Sequence, residues 1–318
     1  MRAIAADGTD SDPVLSEVSE PQMSADDIRV AVKAAAVNPF DWKLARGEII
    51  PDMERHWPFV YGSDFAGVVT ETGSNVNRFA PGDRVFGQYV SHPAGHGTYA
   101  EIVTVPEKSA VTTVPEPLDL ISAASLPTSG MTAQQILEAA ELQAGENLLI
   151  IGAAGGVGSF LTQLAAARDL RVIAVTKGDE SARMGSLGAA RTIDRTVDNV
   201  GAAVRDESPG GVDALVDLSS HDSTVFAQHC HYVRDGGVAL TTNWVSDDSI
   251  NPSNIETINF GLEANAGLLD TVAAATVAGT IQAPVDFRLS LSDVPAHLEF
   301  MRAGKGRGKA VIVVDDEA

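Results

Sequence analysis

The stretch Leu148-Leu149-Ile150-Ile151-Gly152-Ala153-Ala154-Gly155-Gly156-Val157-Gly158 decides how this chain folds. Four aliphatic residues in a row read as a buried parallel strand. Three glycines at a spacing of three, Gly152, Gly155 and Gly158, then turn the chain. A helical stripe of Val157, Phe160, Leu161, Leu164 and Ala165 follows, and after it a second aliphatic run, Val172-Ile173-Ala174-Val175. Strand, glycine turn, helix and strand in that order are what a dinucleotide site needs. Glycine lets the backbone approach a pyrophosphate, and the amides that open the helix face the anion. The glycines depart from G-x-G-x-x-G because Ala153 replaces one early glycine. The residues expected at the phosphates are Gly152, Ala154, Gly155, Gly156 and Val157. The competing reading is a tight strand–helix packing turn with no ligand.

A chain of 318 residues is long enough for about two domains with sizeable cores. Its formal charge of −21 is the unusual property, and only six of the 22 basic residues are lysine. Such a field repels nucleic acid and anionic membranes, so neither is expected as a partner. Concentrated salt screens the self-repulsion, which makes a salt-rich, halophilic cytoplasm the expected setting. The alternative is an ordinary acidic protein. A single cysteine, Cys230, rules out disulfides within the chain and a cysteine-built zinc site. It lies in Gln228-His229-Cys230-His231, whose adjacent residues do not share a helix face, so a core setting is expected rather than a metal. The start carries no basic-then-apolar leader pattern, and a cytoplasmic location is expected. The window from Leu148 to Ala167 reads better as a strand–helix unit than as a membrane span.

The first third reads as β-rich, with apolar runs Ile28–Val32 and Phe65–Val69 and a Pro81-Gly82-Asp83 turn before Arg84-Val85-Phe86. Ile121–Ala124 and Met131–Ala140 read as helices divided by Pro127. Beyond Asn147 strands and helices alternate, with further strands expected at Thr192–Asp194, Ala214–Leu218, Val238–Thr242 and Thr257–Glu263. That alternation argues for an α/β domain whose parallel sheet is covered on both faces. Leu268–Ala278 and Asp293–Arg302 read as helices, Ala310–Val314 as a last strand, and Asp315-Asp316-Glu317 as a solvated acidic tail.

Six segments in order carry a family resemblance. They are Val37-Asn38-Pro39-Phe40-Asp41-Trp42-Lys43, Gly62-Ser63-Asp64-Phe65-Ala66-Gly67, Pro81-Gly82-Asp83-Arg84-Val85, Gly97-Thr98-Tyr99-Ala100-Glu101, Leu126-Pro127-Thr128-Ser129-Gly130-Met131-Thr132-Ala133 and the glycine turn; the ending Gly304–Val313 also fits. Together they resemble the medium-chain dehydrogenase/reductase superfamily, and within it the zinc-free quinone oxidoreductase branch. The zinc-dependent branch carries a cysteine where Asn38 or Pro39 stands here and a His-Glu pair near Ser63-Asp64, and it has a cysteine-rich lobe that is missing. The resemblance implies a GroES-like β-rich domain over 1–121, completed by 267–318, and a doubly wound Rossmann domain over 122–266 with a parallel sheet. It implies a substrate cleft between them and a homodimer, for which the edge strand near 257–263 is the candidate interface.

The end of the second strand of the dinucleotide unit separates NAD from NADP. The chain has Thr176-Lys177-Gly178-Asp179-Glu180 there, and Lys177 is a cation suited to a 2′-phosphate, so NADPH is the expected coenzyme. Related sequences often carry Ser or Arg in this loop; Asp179 departs from them, and Asp179 and Glu180 could open the next helix. By resemblance Thr132 and Asn243 lie near the nicotinamide. Asn38 would face the substrate carbonyl and donate to a developing enolate, with a turn or cap role as the alternative. Lys43 could steady that charge or deliver a proton, unless it is a surface lysine. Tyr61 and Tyr89 are further donors if their rings are not simply half-buried. Asp41 is expected to order its loop rather than act as an acid. His92 and His96 are expected in a loop that could rim the cleft, and they make a poor zinc site. Arg307 and Lys309 could reach the cleft or coenzyme, or be surface cations.

The resulting expectation is a zinc-independent, NADPH-dependent oxidoreductase that passes hydride to a quinone or an α,β-unsaturated carbonyl. The catalytic candidates are Asn38, Lys43 and Tyr61, with no metal. The alternatives are an enoyl-thioester or aldehyde reductase of the same superfamily, or a non-catalytic NADPH-binding redox sensor.

Overall fold

The computed structural model describes residues 1–314, so the acidic tail lies outside the described residues. The chain forms two compact units. One comprises Met1–Met131, Ala264–Ala278 and the segment from Ala283 onward; the other comprises Thr132–Glu263 and Gly279–Gln282. The sequence placed these divisions at 121/122 and 266/267. The helix Leu120–Ser125 packs on strands Asp27–Ala36 and Asp64–Thr72, which draws it into the first unit.

The second unit holds the six-stranded parallel sheet that the aliphatic runs require. In spatial order its strands are Arg191–Asp194, Arg171–Thr176, Asn147–Ile151, Val212–Asp217, Val233–Thr241 and Glu256–Asn259. Leu148, Leu149 and Ile150 are fully buried, as a strand covered on both faces must be. Chain order reverses between Asn147–Ile151 and Val212–Asp217, where Ile151 lies opposite Asp217. The helix Gly156–Ala166 buries Phe160, Leu161, Leu164 and Ala165, while Val157 at its start is only partly covered. The last strand stops at Asn259, short of the expected Glu263, because its neighbour ends at the paired Thr241.

The first unit is β-rich. A seven-stranded sheet includes the path Val285–Leu289, Lys309–Val313, Asp27–Ala36, Asp64–Thr72, Arg84–Gln88 and Ala110–Thr113, and a four-stranded sheet accompanies it. The C-terminal strand pairs antiparallel with Asp27–Ala36, Val311 opposite Ala36. That register lays Lys309 against Val37 and Asn38, 271 positions earlier in sequence. The aromatic core here includes Phe59, Phe65, Tyr61 and Tyr99.

Several local expectations are corrected. Two helices do meet at Pro127, Leu120–Ser125 and Pro127–Ala140, but the second begins at the proline itself rather than at Met131, since a missing N–H is harmless in a first turn. Asp293 closes a 3-10 turn, Leu291–Asp293, before the helix Val294–Arg302. His96 belongs to a short strand, Ala94–His96, and stacks on His56 with ring centroids 4.6 Å apart, so it is not part of a rim loop.

Candidate active site

Two constellations carry chemistry, one in each unit. In the second unit, Gly152 leaves its strand at φ +87°, a conformation that disfavours any side chain. The N–H groups of Gly152 and Ala153 both donate to Val175 O at 3.1 Å, which ties the turn to the second strand. Gly155 caps the helix Gly156–Ala166. A Cβ at Gly158 would come within 2.6 Å of the Cα and O of Ala153, so only glycine lets the helix start press this closely on the turn. Ala154 and Gly156 lie in the same partly open turn. The arrangement presents helix-opening amides at the place where strand order reverses, which suits a dinucleotide pyrophosphate.

At the end of the second strand Thr176 is buried and donates to Gly178 O at 3.0 Å, while Lys177 is exposed. Gly178 N–H donates to Asp194 Oδ1 at 2.9 Å. Asp179 Oδ1 accepts from the amide and hydroxyl of Ser181 at 3.1 and 2.6 Å, so it is committed to the start of the next helix. The sequence reading missed Arg183, whose guanidinium donates to Ala154 O at 3.3 Å and Ser159 Oγ at 3.0 Å, placing a cation beside the glycine turn. It also missed Asp217, which accepts from the amides of Ser219 and Ser220 and from His229 Nδ1, fixing the loop at the strand reversal. Cys230 is buried in the core beside them. Thr132 is buried in the helix Pro127–Ala140. Asn243 follows the strand Val233–Thr241 and donates its N–H to Thr241 Oγ1 at 3.2 Å.

The first unit contains a buried polar cluster. Asn38 caps the short helix Pro39–Ala45, which is entered through Pro39. Asp41 closes that turn: its Oδ2 accepts from Asn38 N–H at 2.8 Å and from the Tyr99 hydroxyl at 2.5 Å, and its Oδ1 accepts from Ser63 Oγ at 2.8 Å. Gly62 makes room for this, because a Cβ there would meet the Tyr99 ring at 2.3 Å. Asp64 Oδ2 accepts from Asn38 Nδ2 at 2.9 Å, and its Oδ1 accepts from Thr128 Oγ1 at 2.6 Å and Thr128 N–H at 3.1 Å. Lys309, 2% exposed, donates to Asn38 Oδ1 at 2.6 Å and stands 3.6 Å from Asp64 Oδ2.

Burial pushes the Asp41 carboxyl up to about 7, against the pull of the Tyr99 hydrogen bond. Burial also drives Asp64 up and Lys309 down, and each of these two opposes the other's shift. Asp41 and Ser63 line a small recess together with Phe40, Leu44, Tyr89 and His96.

The three catalytic candidates from sequence are not gathered at one point. Asn38 sits at the centre of the cluster, but its amide hydrogens are directed at Asp64 and, at 3.4 Å, at Ala36 O. Lys43 is half-buried on the same short helix; burial lowers its pKa and Glu48 works against that. Tyr61 is 2% exposed and packs edge-on against Phe59. Burial raises its hydroxyl pKa, opposed by Arg302 and Arg46, and it does not line the recess. Asp64, Ser63, Thr128 and Tyr99 were given no role by the sequence reading, and Lys309 was left between cleft and surface, although all five lie in the segments that carry the resemblance.

Residues 24–116 match the family model described as alcohol dehydrogenase GroES-like domain, and residues 156–259 the one described as zinc-binding dehydrogenase. The chloroplastic quinone-oxidoreductase homolog of Spinacia oleracea is 36% identical over 184 residues, which are 56% of this chain and 55% of that protein. The chain thus spans about half the length of this relative. The 2-methylene-furan-3-one reductase of Solanum lycopersicum is 29% identical over 305 residues, 93% of this chain and 74% of that one. Among solved structures, the quinone oxidoreductase from Coxiella burnetii superposes with a TM-score of 0.88 at 27% identity, covering 99% of both chains. The protein belongs to the medium-chain dehydrogenase/reductase superfamily, in its quinone oxidoreductase branch.

Proposed function

We propose that this chain is an NADPH-dependent reductase of quinones or α,β-unsaturated carbonyls that works without zinc. The observation that carries the reading is the Lys309 ammonium, 2.6 Å from Asn38 Oδ1 and 3.6 Å from Asp64 Oδ2. By the resemblance, the zinc-dependent branch carries its cysteine where Asn38 or Pro39 stands here and its His-Glu pair near Ser63-Asp64. An ammonium there repels a dication, and amide and carboxylate oxygens already held by hydrogen bonds are poor zinc ligands. Reduction of a conjugated acceptor suits such a site, because the substrate's own conjugation spreads the charge left by hydride attack. Relatives named as a quinone oxidoreductase homolog, a 2-methylene-furan-3-one reductase and an NADPH-dependent alkenal/one oxidoreductase support the substrate class.

The turn Gly152–Val157 would hold the coenzyme's pyrophosphate, with Thr132 and Asn243 toward its nicotinamide, and the bound coenzyme would supply the hydride. Lys177 is the cation we assign to the 2′-phosphate; Asp179, held by Ser181, is not turned to that task. Lys43 is the charge we assign to the developing oxyanion, with Tyr61 standing second because of its burial. Asn38 acts as a positioning residue between Lys309 and Asp64. The edge strand Glu256–Asn259 is the proposed contact of a homodimer.

The test is oxidation of NADPH and of NADH with a benzoquinone and a panel of small enones, with and without a zinc chelator. We expect turnover unaffected by the chelator and a higher kcat/KM for NADPH. Turnover of saturated alcohols alone, or loss of all activity on chelation, would overturn the reading.

A further inference from the structure

Reduction of an enone or quinone consumes one proton with each hydride, and the first unit holds a buried source for it. Asp41, Asp64 and Lys309 are buried together, each 2% exposed or less. Fully ionised, the three would carry one net negative charge away from water, which favours a proton on one of the carboxyls. Lys309 decides which one. It pairs with Asp64 at 3.6 Å, whereas no cation is among the hydrogen-bond partners of Asp41: Asn38 N–H and Tyr99 donate to its Oδ2, and Ser63 Oγ lies 2.8 Å from its Oδ1, an oxygen that accepts from Ser63 when ionised and donates to it when protonated. Asp41 and Ser63 also line the recess with Phe40, Tyr89 and His96.

We propose that Asp41 stores the proton of the reduction and that the Ser63 hydroxyl hands it to the substrate oxygen. The proposal rests on the functional reading above. A substrate that has accepted a hydride from a dihydronicotinamide is an enolate or a hydroquinone anion. Ser63 gives its hydroxyl hydrogen to that oxygen while Asp41 gives its own hydrogen to Ser63 Oγ across 2.8 Å. One O–H bond breaks at Asp41 and one at Ser63; one forms at Ser63 and one at the product. No electrons move in this step. The carboxylate left behind is held by Tyr99 and Asn38 N–H and is reloaded from solvent in the recess.

A carboxyl held up to about 7 by burial is loaded below that pH and empties as pH rises through it. The charged and titratable groups that face it are Asp64, which raises it further, Tyr99, and Lys309, whose ammonium is drawn mainly to Asp64.

The test compares wild type with Asp41→Asn, Ser63→Ala and Ser63→Thr. It uses kcat against pH, the solvent deuterium isotope effect, and the infrared stretch of a protonated carboxyl, which needs no turnover. In the wild type kcat should fall as pH rises through about 7. Asp41→Asn should lose that limb and about 100-fold in kcat. Ser63→Ala should lose similarly with little change in KM, and Ser63→Thr should restore most of the rate. The carboxyl band should be present at pH 6 in wild type and Ser63→Ala and absent in Asp41→Asn. If Asp41→Asn does not fold, Ser63→Ala and its rescue decide. A folded Ser63→Ala with wild-type kcat and pH limb, or a wild type lacking the band, would overturn this proposal alone. A wild type inert toward every quinone and enone would overturn the functional reading and this proposal with it.

Discussion

Replacing Lys309 by methionine tests whether the buried cluster is an ion pair with a spare carboxyl. The methionine stem fills nearly the same space, so the perturbation is chiefly the loss of one charge. At 3.6 Å and an effective dielectric of about 20, the attraction between Lys309 and Asp64 is about 4.6 kcal/mol. Removing one partner of a buried pair costs about 3–5 kcal/mol, because the other charge stays behind without compensation. Asn38 Oδ1 loses its 2.6 Å donor as well, for roughly 1–3 kcal/mol more. We therefore expect Lys309→Met to lose about 4 kcal/mol or more at neutral pH, a large part of a typical folding free energy. The loss should shrink as pH falls, since Asp64, already raised by burial and now without its cation, takes up a proton in the folded state and no longer needs one. The double variant Asp64→Asn/Lys309→Met removes the stranded charge; the new amide oxygen still accepts from Thr128, and its NH2 donates to Asn38 Oδ1 once the Asn38 amide turns over, so the double variant should regain about 3 kcal/mol over the single one. Urea unfolding followed by tryptophan fluorescence reads this cleanly. Trp42 and Trp57 lie in the first unit and Trp244 in the second, so a Trp244→Phe background reports the first unit alone. Molar KCl should leave the loss unchanged, as a buried pair is poorly screened. A Lys309→Met protein within about 1 kcal/mol of its parent, or a double variant no better than the single one, would refute the reasoning.

Gly158→Ala should weaken coenzyme binding at least about tenfold by calorimetry, because its Cβ meets Ala153 Cα at 2.6 Å and must displace the turn; an unchanged Kd would show that the turn does not touch the coenzyme. Lys177→Glu should lower the kcat/KM ratio of NADPH to NADH, and a variant that keeps its preference would remove Lys177 from 2′-phosphate recognition. With a formal charge of −21, the melting temperature should rise from dilute buffer to molar KCl as the screening length shortens from about 10 to about 3 Å; a flat or falling series would refute salt adaptation.

The parallel sheet was legible because its code is local. Leu148–Ile151 and Val172–Val175 are strands long enough, and apolar enough, to be read without knowing their neighbours, and the glycines between them have one steric job. The polar cluster was not legible, because it depends on a pairing that periodicity cannot supply. Lys309 reaches Asn38 only through the antiparallel register that sets Val311 opposite Ala36. Read alone, a lysine after Gly308 looks like a surface cation, since lysine is seldom buried. The surroundings of Asn38 were hidden for the same reason: only the fold shows its amide hydrogens directed at Asp64 and its Oδ1 at Lys309. Tyr99 was quoted only as part of a motif, yet the open space at Gly62 is what lets its hydroxyl reach Asp41. The placement of Lys309 also bears on how this chain manages charge. Lysine is scarce here, with six residues against 43 acids, yet one of the six lies 2% exposed beside Asp64. A solvent-facing acidic coat cannot require that lysine. An interior with two carboxylates does, and with only one ammonium to balance them it favours a proton on one carboxyl beside the recess.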